Sequence, residues 1–375
     1  MRFNYLNGFV ETPAGTVPRV ATRLDFKDYL GTLMVRWAIN RDHYRVEPGI
    51  YATGNPTSAS DVFVTGNYKL SFDHLRKNLD GLNAWMLVLD TRGINVWCAA
   101  GKGTFSAKEL VKRIQLCSLE KIVNHQRLIL PQLAATGVSA QAVKSLTREH
   151  PAEKTTVEGG PLVAGTGNFS PGIYLKRNTG YSVIFGPVRA SDIKSFIDAG
   201  YKATPGMRKV RFGLSDRAKL IPVDFVSGRS YLLAALTLVF FLSGIYSRGY
   251  SFSETMDHGL TAMINILMGY AAGVIITPLL LPYLPARTFS MKGMYAGLAV
   301  AIILLFSGNL GNHWSEQTAW FLIIPAISSF IAMNFTGSST FTSLSGVKKE
   351  MKISIPFQIA GSALGLALLI TSKFL

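Results

Sequence analysis

Cysteine is nearly absent from this chain of 375 residues, which has only Cys98 and Cys117. Two thiols are too few for the disulfide framework that holds small secreted domains together. They are also too few for a resident cubane iron–sulfur cluster, which commonly takes four cysteine ligands. Neither has a C-x-x-C companion, and a bridge between them does not suit a reducing cytoplasm. Histidine is sparse as well. His43, His74, His125 and His150 stand in no motif that supplies a nucleophile with a base, so they read as solvated or structural. Acid is short of base, with 22 Asp and Glu against 38 Lys and Arg and a net charge of +16. No helix-turn-helix, zinc-finger or aromatic RNA-binding signature accompanies that excess, so nucleic acid is not an expected partner.

Charge itself becomes scarce after about residue 230. Five stretches, 231–247, 259–281, 293–308, 317–335 and 353–371, contain no charged side chain and approach the roughly 17–25 residues that cross a hydrocarbon core. The first and third are short enough for one of them to be re-entrant. The expected organisation is a soluble domain over 1–229, ending in a basic juxtamembrane segment, and a five-span α-helical membrane domain over 230–375. Loop charges test the count. Lys219 and Arg229 precede the first stretch, Arg287 and Lys292 join the second to the third, and Lys348, Lys349 and Lys352 join the fourth to the fifth. The alternate loops set Arg248 against Glu254 and Asp257, and His313 against Glu316. Basic flanks favour the cytoplasmic side. The expectation is therefore a multi-pass protein of the cytoplasmic (inner) membrane, with the N-terminal domain inside and the C-terminus outside. Residues 1–15 lack the basic and apolar regions of a signal peptide.

Just before the first stretch, Lys202, Arg208, Lys209, Arg211, Arg217, Lys219 and Arg229 face only Asp216 and Asp224. Anionic headgroups attract such segments by about 1 kcal/mol per charge, which makes membrane lipid an expected partner. Gly269 with Gly273, Gly293 with Gly297, and Gly361 with Gly365 are Gly-xxx-Gly pairs, read as close helix packing. Pro278, Pro325 and Pro356 are candidate kinks, and Asn265 a candidate interhelical hydrogen bond.

The soluble part alternates strand and helix signals. Residues 61–66 and 84–90 read as buried strands with a helix at 71–79 between them. Ser106 and Glu109 have capping-box spacing, which starts a helix at Ala107. Residues 127–131 read as a strand, 140–149 as a helix, 181–186 as a strand, and 191–200 as a helix capped by Ser191 and closed by Gly200. Such alternation predicts a Rossmann-like α/β domain, an open and mostly parallel sheet with ligands at the carboxyl ends of its strands.

Cys98 lies in "NVWCAAGKGTF", read as a loop at such a strand end, upstream of a helix N-terminus and near Lys102. Two readings stand side by side: a thiolate competent as nucleophile or metal ligand, and a small packed hydrophobe. A phosphate loop is excluded, because Val96 stands where the pattern needs Gly and Gly103 where it needs Ser or Thr. "GTGNFS" at 165–170 has two of three dinucleotide glycines and reads as a turn. Cys117 reads as helix packing.

The stretch Asn95–Lys102 resembles the signature of the mercury-methylating corrinoid proteins, the HgcA family, and the order of soluble and membrane parts is similar to theirs. The soluble part also resembles the corrinoid domain of the corrinoid iron–sulfur proteins of acetyl-CoA metabolism, through "VTGNYKLSF", "LPQLAATGV" and "FGPVRASDI". The resemblance implies a cobalamin-type corrinoid held base-off with Cys98 as lower axial ligand of cobalt. It implies contacts from Asn95, Val96, Trp97, Ala99, Ala100, Gly101, Lys102 and Gly103. Thr65 and Asn67 are expected to bond corrin amides, and Pro131, Gln132, Leu133, Ala135, Gly137, Val138, Gly186 and Pro187 to enclose the nucleotide tail. The D-x-H-x-x-G pattern of histidine-ligated corrinoid proteins is absent, since Asp73 and Asp257 directly precede His74 and His258.

The activity so implied is methyl transfer from cobalt to Hg(II), aided by thiolate donation to the metal. The implied partners are a ferredoxin-like protein with two 4Fe–4S clusters (HgcB type) and a methyl-donor protein or methyl-folate. Two alternatives are a methyl carrier of the acetyl-CoA pathway and a membrane transporter or receptor with a corrinoid-sensing domain.

Overall fold

In the computed structural model, which describes residues 5–149, 180–247, 249–335 and 344–374, the chain divides into two compact units. One comprises Met1–Val35 and Ile39–Val210, the other Arg36–Ala38 and Arg211–Leu375. His150, the turn read at 165–170 and Arg248 lie outside the described residues.

The first unit begins with a part the sequence reading left unassigned: strands β1 (Leu6–Thr12) and β2 (Gly15–Val20), helix α1 (Phe26–Arg36) and strand β3 (Gly49–Thr53). Then come β4 (Val62–Gly66), α2 (Lys69–Asn78), β5 (Ala84–Leu89), α3 (Val96–Lys102), α4 (Ala107–Leu116), α5 (Leu119–Ile122) and β6 (Arg127–Leu130). A 3-10 turn, Gln132–Thr136, leads to α6 (Ala140–Glu149), and β7 (Ser182–Phe185), α7 (Ile193–Asp198) and α8 (Pro205–Arg208) complete the unit. The strands form one sheet in the order β1-β2-β3-β5-β4-β6-β7. From β5 to β7 it is parallel, as alternation predicts. β3 runs antiparallel to β5, and β1 pairs β2 as an antiparallel hairpin.

Strand side chains alternate between two cores because successive residues of a strand point to opposite faces. Trp85, Leu87 and Leu89 of β5 join Val62, Val64, Leu128 and Leu130 under α3, α4 and α6. Met86 and Val88 join Phe63 and Ile129 under Phe72 and Leu75 of α2 and Phe196 of α7. Burial on both faces is why β4 and β5 read as continuous apolar runs.

Two helix starts differ from expectation. Ser106 Oγ accepts the Glu109 amide at 3.4 Å, but the Glu109 carboxylate does not return the bond. It accepts the Asp90 amide at 3.0 Å and an Arg113 N–H at 2.8 Å. Ser191 caps nothing: residues Ala190–Asp192 form a 3-10 turn, and α7 starts after it. Its end follows the reading, with Gly200 at a positive φ of 65°.

One feature on α2 was not read from sequence. Lys69 Nζ sits 2.7 Å from Asp28 and 2.6 Å from Asp73, and Arg76 bonds the same two carboxylates at 2.5 and 2.7 Å. All four side chains are buried. Burial pushes the Asp73 carboxyl up despite both cations. Burial opposes ionisation of Asp28 too, but hydrogen bonds from Lys69 and Arg76 outweigh it and hold that carboxyl below its usual range. Removing one partner of such a network strands an uncompensated charge, at a cost of about 3–5 kcal/mol.

The second unit is helical: α9 (Leu214–Ala218), α10 (Ile221–Ser227), α11 (Arg229–Leu242), α12 (Phe252–Ala271), α13 (Thr277–Leu280), α14 (Phe289–Phe306), α15 (Trp314–Asn334) and α16 (Leu344–Thr371). Among the described residues four helical segments are long and apolar enough to cross a membrane: Phe252–Leu280, Phe289–Phe306, Trp314–Asn334 and Gly346–Thr371. The expected count of five is reached only if the bent pair Leu214–Ser227 and Arg229–Leu242 serves as one span. The first expected span is instead α11, with 14 residues. At 1.5 Å per residue it reaches about 21 Å, short of a core about 30 Å thick. It is bent by 57° against Leu214–Ser227.

Each proline has a local consequence. Ahead of Pro278, residues Ala272–Ile276 widen into a π-helical turn, while Pro325 and Pro356 lie inside α15 and α16. Gly273, Gly293, Gly297 and Gly365 pack as closely as read, whereas a Cβ on Gly269 or Gly361 would keep ordinary distances of 3.4 and 4.0 Å. A Cβ on Gly293 would stand 2.5 Å from that of Ala332, and one on Gly365 2.7 Å from Ile323. Asn265 donates to the Asn309 carbonyl at 2.9 Å. Arg217 departs from the expected headgroup role: it is buried and donates to the carbonyls of Pro278 and Leu279 at 3.0 and 2.7 Å.

Candidate functional site

All nineteen residues expected at the site lie at or just beyond the carboxyl ends of β4, β5, β6 and β7. The loop after β5 is built around Asn67, which follows β4. Asn67 Oδ1 accepts the amides of Thr91 and Gly93, each at 3.0 Å, and its Nδ2 donates to Asp90 at 3.2 Å. The side chain is buried and spent on this loop. It positions the segment that carries Cys98. Thr65, within β4 opposite Val88, is also buried.

Cys98 is in a helix, not a loop. Asn95 caps α3 by accepting the Cys98 amide on its Oδ1 at 2.9 Å. Ala99 and Ala100 favour continuation, and Gly103, at a φ of +77°, ends the helix. The sequence reading took both glycines as loop residues, whereas only Gly103 terminates. Cys98 thus sits in the first turn, half-buried, with Lys102 exposed one turn later.

The inner face of α3 is core. Val96, Ala99 and Ala100 are buried among Leu87, Phe105 and Val138, so these side chains, and that of Val138, seat the helix and present no surface to a ligand. Trp97 is half-buried, and Gly101, Lys102 and Gly103 are exposed. The turn after β6 closes on this helix. A Cβ on Gly137 would lie 2.8 Å from Ala100 Cα and 2.3 Å from the Phe105 carbonyl oxygen, so only glycine allows the approach.

Pro131, Gln132 and Leu133 are half-buried and Ala135 exposed. Gln132 N donates to the Pro187 carbonyl at 3.4 Å, and Gly186 N to that of Leu130 at 2.8 Å, which ties the β6 and β7 ends together. Gly186 and Pro187 are buried. Of the expected residues, Asn95, Trp97, Cys98, Gly101, Lys102, Gly103, Pro131, Gln132, Leu133, Ala135 and Gly137 therefore keep surface on this edge.

The two thiols differ. Cys117 caps α4, is buried in the core, and burial pushes its thiol up to about 12. It has the environment of an inert packing residue. Among the described residues no group of three or more His, Cys, Asp or Glu side chains is arranged to hold a metal ion. Any metal here would meet Cys98 alone or arrive inside an organic cofactor.

Comparisons with known proteins find similarity over part of the chain. A profile for the CO dehydrogenase/acetyl-CoA synthase delta subunit matches residues 22–160. The acetyl-CoA decarbonylase/synthase complex subunit gamma of Archaeoglobus fulgidus is 34% identical over 109 residues, which is 28% of this chain and 23% of that protein. The subunit gamma of Methanocaldococcus jannaschii is 32% identical over 118 residues, 30% of this chain and 24% of that protein. The Methanopyrus kandleri protein is 33% identical over 97 residues, 25% and 21% of the two chains. The chain thus matches under a quarter of the length of these relatives. The profile match takes in β4 to β6 and Cys98, and stops before the apolar helices.

Proposed function

We propose that this chain is a membrane-anchored corrinoid protein that handles methyl groups, with the corrinoid on the carboxyl edge of its parallel sheet and Cys98 as lower axial ligand. The carrying observation is Cys98 itself, a half-exposed thiol on the first turn of α3, at the strand ends where open α/β sheets bind ligands.

The residues present fit such a group. Gly101 has an ordinary helical conformation, and a Cβ placed on it would meet nothing within 4 Å. Its lack of a side chain therefore serves no contact inside the protein, although a helical glycine costs about 0.5–1 kcal/mol relative to alanine. A flat macrocycle lying on that face accounts for it. Trp97 and Leu133 offer apolar surface beside it, and Lys102 offers a cation. When bound, the corrinoid supplies a cobalt that accepts and gives up a methyl group.

The protein residues do the rest. Asn95 and Asn67 fix where the thiol sits, the Gly137 approach locks α3 against the next loop, and the Cys98 sulfur would hold the metal and supply electron density to it. Methyl transfer in acetyl-CoA chemistry is supported by the delta-subunit profile and the gamma-subunit relatives. Hg(II) as methyl acceptor rests on the Asn95–Lys102 stretch. A soft thiolate held to the metal would favour release of a methyl group toward a soft metal ion, which keeps Hg(II) as a second acceptor beside the carrier role that the relatives support. The expected reductant is a separate ferredoxin-like protein, since two thiols do not hold a cluster.

The test uses the purified full chain with bound corrinoid, wild type and Cys98→Ala. Cys98→Ala is expected to keep corrinoid, shift the cobalt absorption bands and lose methyl transfer to Hg(II). Unchanged bands in the variant overturn the axial assignment. Methyl transfer by the wild type to an acetyl-CoA synthase, with none to Hg(II), overturns the mercury reading and leaves the carrier.

A further inference from the structure

Helix α1 is packed with its polarity reversed. The residues it turns inward are Asp28, Gly31 and Val35. Asp28 enters the buried network with Lys69 and Arg76, and Gly31 is small because a Cβ there would stand 2.6 Å from the Tyr44 hydroxyl oxygen. Its large apolar residues point outward: Phe26 is 78% exposed, Tyr29 55%, Leu30 40% and Leu33 55%. They recur at the three- and four-residue spacing of one helix face. A contiguous apolar patch on a soluble surface marks an interaction site.

Charge distinguishes among occupants. Within α1 the only acid is Asp28, and it is neutralised in the network. Asp25, before it, gives its carboxylate to the Asp28 amide at 2.8 Å. The exposed charges around the apolar face are Arg23, Lys27 and Arg41 against Asp25 and Asp42, a small excess of cations. An apolar face with two aromatic residues and a border of small net positive charge, on a chain that also carries long apolar helices, suits the boundary between headgroups and acyl chains of an anionic bilayer. The 11-residue helix is about 16 Å long, enough to lie along a surface and too short to cross it.

We infer that α1 is an interfacial helix, its Phe26, Tyr29, Leu30 and Leu33 face lying in the plane of an anionic lipid surface. The inference rests on the membrane reading above and adds a second, separate point of contact with the bilayer, outside the apolar helices.

Site-directed nitroxides test it on the full chain in phosphatidylglycerol–phosphatidylethanolamine vesicles, in a Cys98→Ser, Cys117→Ala background. Labels go on Leu33→Cys and, as a second variant, Tyr29→Cys. Lys112→Cys on α4 is the aqueous reference and Ile303→Cys on α14 the acyl-chain reference. Both α1 labels are expected to be relaxed more by oxygen than by a water-soluble nickel chelate, the reverse of Lys112. Exchange of phosphatidylglycerol for phosphatidylcholine should diminish the contrast. Nickel-dominated relaxation at Leu33 and Tyr29, with oxygen-dominated relaxation at Ile303, overturns the inference and leaves the spans in place. Shielding of both α1 labels from both reagents overturns it in favour of a protein partner. Nickel-dominated relaxation at Ile303 overturns the spanning helices. In that case oxygen-dominated relaxation at Leu33 still supports α1 as a peripheral contact, and nickel-dominated relaxation there overturns it.

Discussion

Asn67 Oδ1 accepts the Gly93 amide at 3.0 Å, and through that bond the end of β4 dictates the path of the chain toward Cys98. Asn67→Ala leaves the amides of Thr91 and Gly93 without this acceptor. The expected loss is about 2–3 kcal/mol of stability, with weaker corrinoid binding because α3 is no longer held. Asn67→Asp keeps the acceptor and puts a second carboxylate beside Asp90, so it should fall between alanine and wild type. Thermal unfolding and corrinoid titration of the three proteins check the order. Equal corrinoid affinity in all three would remove Asn67 from the site.

Gly101 separates folding from binding. Gly101→Leu should leave stability unchanged or raise it by up to about 1 kcal/mol, since the position is helical and open. The same change should abolish corrinoid binding by occupying the surface the macrocycle needs. A stable variant that binds corrinoid normally would show that the ligand lies elsewhere.

Under native conditions a water-soluble maleimide at about pH 8 should modify Cys98 and spare Cys117, while denaturation exposes both. The burial that protects Cys117 also sets a pH dependence. Its thiol holds its proton up to about 12 in the folded chain and to about 8.5 when unfolded. This contribution to stability is fully present below about 8.5 and is lost as pH rises toward 12, by about 1.4 kcal/mol per pH unit. The stability difference between wild type and Cys117→Ala should accordingly be flat below that window and shift against wild type within it. A constant difference through pH 11 or so would contradict a raised thiol.

Reporters fused at Met1 and after Leu375 should lie on opposite sides of the membrane. Four crossings would put both on one side, and would place Arg287 and Lys292 outside with Glu254 and Asp257 inside, against the usual charge bias. Opposite sides require the bent pair containing α11 to cross as one span. Labelling both termini on the same side would reduce the spans to four.

Cys117→Ala and Lys69→Met make an instructive pair on opposite faces of the sheet. The first trades one small buried side chain for another and should cost about 1 kcal/mol. The second leaves Asp28 and Asp73 with Arg76 alone and should cost about 3–5 kcal/mol. Chemical denaturation of the two variants gives the comparison. A mild Lys69→Met would mean that the carboxylates find water.

Strands β4, β5 and β6 were legible because apolar runs bounded by turns identify strands covered on both faces, the partly buried edge strand β7 because of its short apolar run, and α4 because Ser106 and Glu109 announce a start. The hairpin β1–β2 and strand β3 were not. Leu6 and Phe9 of β1 are exposed, so no inward–outward alternation marks it as a strand. The expected site residues do gather at the strand ends, but which of them face the core was not legible. Spacing puts Val96, Cys98 and Ala100 in one motif, yet only packing reveals that Val96 and Ala100 face the core while Cys98 stays half-exposed. Asn67 was noticed as polar near a strand end; that its amide would be consumed by a loop 24 to 26 residues later depends on strand order. The buried network was the clearest signal left unread, since Lys69, Asp73 and Arg76 stand at helical spacing in plain sequence and only the distant Asp28 was out of reach.

That network also frees the helix it anchors. Most surface helices are attached by an apolar stripe, so their inward residues resist replacement and their outward ones are polar by default. Here α1 is moored by ion pairs through Asp28, by a close approach at Gly31 and by Val35, which packs with Tyr44 and Tyr68, and its four large exposed apolar side chains take no part. Its outward positions are consequently independent of its attachment. Across homologues, Phe26, Tyr29, Leu30 and Leu33 can follow the chemistry of whatever surface they meet while the fold beneath them stays fixed. A chain that kept Asp28, Lys69, Asp73 and Arg76 but turned these four positions polar would be the same domain released from that surface.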